Sequence, residues 1–288
     1  MIFSKMHGLG NDFVVVNGFT EHLDDAVINK LAIGACDRNF GIGGDGLILV
    51  MPSETADFRM RMLNPDGSEA EMCGNGIRCV AKFTFEHGIT TANPVRVETL
   101  AGLKTIELTV AGGKVTAARV DMGAPKLDRS EIPVTVPGTG PVISEPLVLD
   151  DRTLGITCVS MGNPHCITFV DDVESYPVRT VGPKVERHPA FPERTNAEFI
   201  EVVSPSEIKM RVWERGAGET LACGTGACAS TVASILNGKT GRSLTVHLKG
   251  GDLKVEWLKD DGPVVMTGPA VEVFTGEIPE YMLKAWLV

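Results

Sequence analysis

The sequence predicts an α+β fold of two pseudo-symmetric domains, each made of strands around one helix. Three observations carry this expectation. Two segments match, Glu71-Met72-Cys73-Gly74-Asn75-Gly76-Ile77-Arg78-Cys79-Val80-Ala81 and Leu221-Ala222-Cys223-Gly224-Thr225-Gly226-Ala227-Cys228-Ala229, both reading Cys-Gly-x-Gly before small and apolar residues. The match extends beyond them: Asn11 and Asn163 are 152 residues apart, while Cys73/Cys223 and Leu103-Lys104/Leu253-Lys254 are 150 apart. Gly88 and Gly238 each lie 15 residues past their cysteine, where a helix C-cap is expected. Such a sustained offset reads as an internal duplication, and 288 residues suffice for two domains. The boundaries fall at 1–122 plus a returning tail, 272–288, for the first domain and 123–271 for the second.

Composition narrows the function. Charged residues are 22% and hydrophobic residues 43%, ordinary for a globular protein with real cores. The net charge of -10 and the lack of a basic stripe argue against nucleic acid as partner. No apolar run approaches the length of a membrane span, and Met1 to Gly8 does not read as a signal peptide. A cytoplasmic location is expected. Seven cysteines is an odd number, and their spacings are neither a disulfide framework nor a zinc site.

The elements follow in order. Met6 to Val16 is a glycine turn feeding a β-branched strand. Glu21 to Ala35 has helical spacing, with Leu23, Ala26, Val27, Leu31 and Ala32 on one side. Gly41, Gly43 and Gly46 match G-x-G-x-x-G, but a strand, Leu47 to Val50, follows where the dinucleotide fingerprint needs a helix. Phe58 to Leu63 alternates as a half-buried strand before the turn Asn64-Pro65-Asp66-Gly67. The apolar run Ile77 to Phe85 is the first central helix. Val95–Leu100, Leu103–Val110 and Val115–Met122 are successive strands. Met161-Gly162-Asn163-Pro164-His165 then leads into a strand, Ile208 to Val212 matches Phe58 to Leu63, and the second helix follows Cys223. Prolines and glycines from Pro133 to Pro146 mark an irregular junction. The tail from Val271 is expected to cross back over one domain.

Each Cys-Gly-x-Gly stands at a helix start, with unpaired N–H groups and a partial positive charge. There a thiol is expected to ionise more easily, and the adjacent amides can hold a carboxylate. Pseudo-twofold domains would bring the two starts together, with one sulfur on each face of an α-carbon. One thiolate could then remove the α-proton while the other thiol protonates the opposite face. No lysine motif for pyridoxal phosphate and no metal cluster is evident, so the expected chemistry needs no cofactor.

With these residues in view, the chain resembles the diaminopimelate epimerase family. The segments around Asn11, Asn64, Met72–Asn75, Asn163–His165, Asn196, Glu214-Arg215 and Ala222–Thr225 carry the resemblance, in order, over nearly the whole length. It implies mostly antiparallel sheets wrapped around a central helix, with the site in the cleft between domains. It implies conversion of LL- to meso-diaminopimelate, a lysine and peptidoglycan precursor, by Cys73 and Cys223. Gly74, Asn75, Gly224 and Thr225 would hold the reacting carboxylate. Asn11, Asn64, Asn163, Asn196, Glu214 and Arg215 would bind the rest of the substrate, and His165 and Glu214 would tune or orient the cysteines. Some family members carry glutamine near Gly46, and a glycine there lacks that contact. The partner expected is a small molecule, with neither nucleic acid nor membrane; a homodimer stays open.

Plainer readings stand beside these. Cys36, Cys79, Cys158, Cys166 and Cys228 read as small buried hydrophobes. Without the resemblance, His165 is a structural histidine at the Pro164 turn. The asparagines suit turns, Glu214-Arg215 could be a solvated pair, and Asp45 and Glu219 read as structural. A proline or hydroxyproline racemase is the second enzymatic reading, but such relatives have histidine where Asn75 stands. A non-catalytic amino-acid-binding protein is the third, and it would not need both thiols.

Overall fold

A computed structural model describes residues 1–21 and 23–287. The chain divides into two compact units, Met1–Val120 with Gly268–Val288, and Asp121–Thr267. Among the described residues no helix is long and apolar enough to cross a membrane.

The first unit contains β1 (Ile2–Gly8), β2 (Asn11–Asn17), α1 (Ile28–Cys36), β3 (Gly46–Met51), β4 (Phe58–Leu63), β5 (Glu69–Ala70), α2 (Gly74–Glu86), β6 (Val95–Thr99), β7 (Gly102–Ala111) and β8 (Lys114–Asp121). Most neighbours are antiparallel; β2–β3 and β4–β6 are parallel. α2 is buried nearly all round, from Gly74 to Ala81 and at Phe83 and Thr84, and touches β1, β2, β3, β4 and β7. A helix with no wet face must be enclosed, and here the sheet curls about it.

The second unit repeats the plan with β9 (Glu145–Val148), β10 (Thr153–Ser160), β11 (Pro164–Phe169), α3 (Val178–Glu186), β12 (Asn196–Ser204), β13 (Glu207–Glu214), β14 (Gly218–Glu219), α4 (Gly224–Leu236), β15 (Ser243–Leu248), β16 (Gly251–Glu256) and β17 (Val265–Gly268). Its parallel pairs, β11–β12 and β13–β15, occupy the same places. Register agrees in detail: Phe13 faces Gly46 as His165 faces Asn196, and Leu47 faces Leu63 as Ala197 faces Trp213. The chain ends with β18 (Val271–Glu277), antiparallel to β1, and α5 (Glu280–Leu287), which packs on α1. Met282, Leu283 and Trp286 of α5 thereby extend the core formed by Val14, Leu31, Leu47 and Leu63.

Two expectations need correction. The first helix does not begin at Glu21: α1 starts at Ile28, because Asp24 caps the Ala26 N–H and its carbonyl takes the Val27 N–H, which closes a turn instead. His22 lies outside the described residues. The 150-residue offset also fails after the helices. Val97 pairs with Lys104 and Val246 with Leu253, so the structural offset there is 149, and Leu103 and Leu253 are not equivalent. Their burial agrees, with Leu103 53% exposed and Leu253 fully covered, as a one-residue slip requires in a strand.

Candidate active site

In the first unit Cys73 is the N-cap of α2. Its extended backbone points the sulfur back over the helix start, where Sγ accepts the Gly76 N–H at 3.4 Å. Asn11, at the start of β2, brings Oδ1 to 3.8 Å from that sulfur and accepts the Asn75 amide at 3.0 Å. Both amides are held from behind. Asp45 accepts Asn11 Nδ2 at 2.7 Å, and Arg78 Nη2 donates to Asn75 Oδ1 at 3.1 Å. The partners fix which amide end faces the sulfur. Asn64 closes β4 and gives Nδ2 to Ser68 Oγ at 2.9 Å.

Cys223 is the N-cap of α4, with the same extended backbone but without a side-chain cap hydrogen bond, and is only 5% exposed. Thr225 Oγ1 lies 3.5 Å from its sulfur. The expectation that a helix start makes this thiol more acidic does not hold. Burial first, then the Glu214 and Glu198 carboxylates, raise it well above the ordinary 9.0, against hydrogen bonds from Thr225 and the Gly226 backbone. The end charge of a helix is worth about 1 kcal/mol, and full burial outweighs it. Glu214 is itself raised above 4.5 by burial, opposed by hydrogen bonds from the Thr220 hydroxyl and the Cys223 thiol.

Around this thiol the second unit gathers more polar residues. His165 and Glu198 are fully buried, with Nδ1 and Oε1 2.7 Å apart. His165 Nε2 is 3.0 Å from Asn163 Oδ1, and Asn163 Nδ2 reaches Thr225 Oγ1 at 3.4 Å. Asn196 spends its amide inside the protein, accepting the Arg215 N–H and donating to the Pro164 carbonyl, both at 2.9 Å. It thereby ties β11 and β12 to the turn that carries Glu214 and Arg215. The exposed Arg215 side chain donates to the Glu193 carbonyl at 3.1 Å.

At Gly46 a Cβ would lie 2.9 Å from the Leu63 carbonyl oxygen, so the strand pair itself excludes a side chain there. Among the described residues no group of three or more His, Cys, Asp or Glu side chains could hold a metal ion. Sequence reasoning missed Arg78 and Glu198 and left Asp45 structural. Arg78 is a charge inside the apolar run Ile77 to Phe85, and Glu198 stands between Ala197 and Phe199. A charge flanked by core residues was the available signal.

The family model described as diaminopimelate epimerase matches residues 3–127 and 157–273. The chain belongs to the diaminopimelate epimerase family. Curated members of this family from Pelotomaculum thermopropionicum and Moorella thermoacetica are each 59% identical to it, over 97% of this chain and 99% of their own length. One from Methanococcus maripaludis is 53% identical over 96% of this chain and 99% of its own. Among solved structures, a phenazine biosynthesis protein of the PhzF family from Bacillus anthracis superposes with TM-score 0.71 at 19% identity, covering 97% of this chain and 99% of that one. A hydroxyproline epimerase from Agrobacterium vitis does so with TM-score 0.70 at 14% identity, covering 96% and 91%. These two share the family's fold.

Proposed function

We propose that the chain epimerises LL-diaminopimelate to meso-diaminopimelate without a cofactor, using Cys73 and Cys223 on opposite faces of the α-carbon. The observation that carries this is the pair of cysteines capping equivalent helices, α2 and α4, in a family member 59% identical to curated epimerases along its whole length. One thiolate takes the α-proton, so a C–H bond breaks and an S–H bond forms. The other thiol gives its proton to the opposite face and becomes the thiolate. The N–H groups of Gly74, Asn75, Gly224 and Thr225 have no preceding helical carbonyl to pair with, and they suit the carboxylate on which negative charge builds.

Asn11, Asn64 and Asn163 are assigned to the substrate's polar groups and Arg215 to its distal carboxylate. Asn196 serves by holding the Arg215 turn, and His165 and Glu214 serve Cys223. The product is a lysine and peptidoglycan precursor, and we place the reaction in the cytoplasm on that ground.

The test is incubation of reduced enzyme with LL-diaminopimelate in D2O. Deuterium should enter one α-carbon as meso product forms, and hydroxyproline should stay unlabelled. Absence of exchange from the diamine would end this reading. Cys73→Ser and Cys223→Ser should each lower kcat by about 10²-fold or more, the usual worth of a positioned acid or base. Full activity in either variant removes that thiol from the chemistry.

A further inference from the structure

Glu198 is fully buried in β12, between Ala197 and Phe199. Its Oε1 meets His165, and its Oε2 makes no hydrogen bond to any described residue. A buried carboxylate with one oxygen unpaired is costly, and the fold itself does not require it. The equivalent place in the first unit holds Ile48, and the place of His165 holds Phe13, both fully buried in the same strand register. The pair is therefore an addition made on the Cys223 side of the duplication.

From Glu198 a line of polar contacts runs to the sulfur: 2.7 Å to His165 Nδ1, 3.0 Å from Nε2 to Asn163 Oδ1, 3.4 Å from Nδ2 to Thr225 Oγ1, and 3.5 Å on to Cys223 Sγ. The partners decide who donates. A carboxylate oxygen and an amide oxygen both accept, so both ring nitrogens of His165 donate. Asn163 then turns its N–H groups to Thr225, whose oxygen accepts. The Thr225 hydroxyl proton is left for the sulfur.

We propose that Glu198 is a positioning residue for Cys223: by holding His165 Nδ1–H it keeps Nε2 a donor, and so aims the Thr225 hydroxyl proton at the thiolate formed when Cys223 gives up its proton. The proposal rests on the epimerase reading above. Glu198 acts through three side chains and touches no substrate. It also stands close by a second path. A Cβ at Gly226 would lie 2.8 Å from Glu198 Oε1 and 3.2 Å from Cys223 Sγ, so glycine alone lets carboxylate and sulfur share that space. The other charged group facing the thiol is Glu214 from β13, which in turn feels His165 from β11. The carboxylates favour the thiol and the hydroxyl favours the thiolate, a balance that a group cycling between acid and base needs.

Glu198→Gln tests this. The amide oxygen still accepts Nδ1–H, but a neutral partner leaves His165 with that proton alone. Nε2 becomes an acceptor, Asn163 flips, and the Thr225 hydroxyl donates to Asn163 instead of sulfur. In ¹⁵N NMR of the whole protein, His165 Nε2 should be protonated in the wild type and unprotonated in the variant. kcat should fall about tenfold, the worth of one hydrogen bond to a charged acceptor, with KM within about twofold. An unprotonated Nε2 in the wild type overturns the proposal without any variant. So does an unchanged kcat, or a loss confined to KM. The NMR result stands whether or not diaminopimelate is the substrate, so failure of the relay and failure of the epimerase reading are told apart.

Discussion

Gly76 and Gly226 occupy the same place in the two units and face different chemistry. A Cβ at Gly76 would meet the ends of Ile48 and Met60 at 3.0 and 3.1 Å, both flexible and apolar. At Gly226 it would press on Glu198 Oε1 at 2.8 Å, an atom already held by His165. In an exposed helix interior Gly→Ala gains about 1 kcal/mol, and at Gly76 small shifts can preserve part of that. Gly76→Ala should therefore keep its melting temperature and most of its activity. Gly226→Ala should lose kcat by more than about tenfold, because moving the carboxylate disturbs a charge-assisted hydrogen bond. Thermal melts and steady-state kinetics on the two variants check this, and equal losses would contradict it. The placement of both cysteines at helix starts was legible from the duplicated motif. The proton affinity of Cys223 was not, because it depends on burial and on Glu198 and Glu214, which arrive from other strands.

Among the elements, α3 does quiet work for the site through Glu186. Its Oε2 accepts the Trp213 indole N–H at 2.8 Å and its Oε1 accepts the Gly216 N–H at 3.1 Å. It thus fixes both sides of the turn bearing Glu214 and Arg215. These two hydrogen bonds hold its carboxyl below 4.5 although burial pulls the other way. Glu186→Ala leaves both donors unpaired and should cost about 1–3 kcal/mol in urea unfolding. It should raise KM more than it lowers kcat, since the turn loosens while the cysteines stay in place. A wild-type KM would show that the turn holds its shape without α3. The central helices were readable in the sequence, since each begins at its cysteine and ends before a glycine. α1 was overextended because Leu23, Ala26 and Val27 fit a helical stripe, while the Asp24 carboxylate capping the Ala26 N–H decided otherwise. Glu198 escaped notice because a strand pattern marks which face is buried, not whether a buried charge has a partner across the sheet.

Taken whole, the molecule is a duplicated frame with unlike furnishings. Phe13, Ile48 and Asn64 in one unit stand where His165, Glu198 and Glu214 stand in the other, on matching strand registers. Repetition of the backbone was visible from spacing; the divergence of these three positions became meaningful only once the strands had brought them together. The frame also buries thiols throughout, and this sets how the protein responds to alkali. Burial pushes Cys36 up to about 11 and Cys79 to about 12, and holds Cys166 and Cys223 well above 9.0. These folded values exceed the unfolded one, so the stability they carry is complete below pH 9 and is lost as pH rises towards the folded values. Near pH 10 each such thiol stays neutral in the fold but ionises in the unfolded chain, at a cost approaching about 1.4 kcal/mol per pH unit above 9. Urea unfolding of reduced protein should therefore show a lower free energy near pH 10 than near pH 8. Cys79→Ala lowers stability at both pH values by its lost packing, but it removes one ionising thiol and should make the decline shallower by about one thiol's share. A decline of unchanged steepness in that variant would assign the alkaline loss to groups other than the buried cysteines.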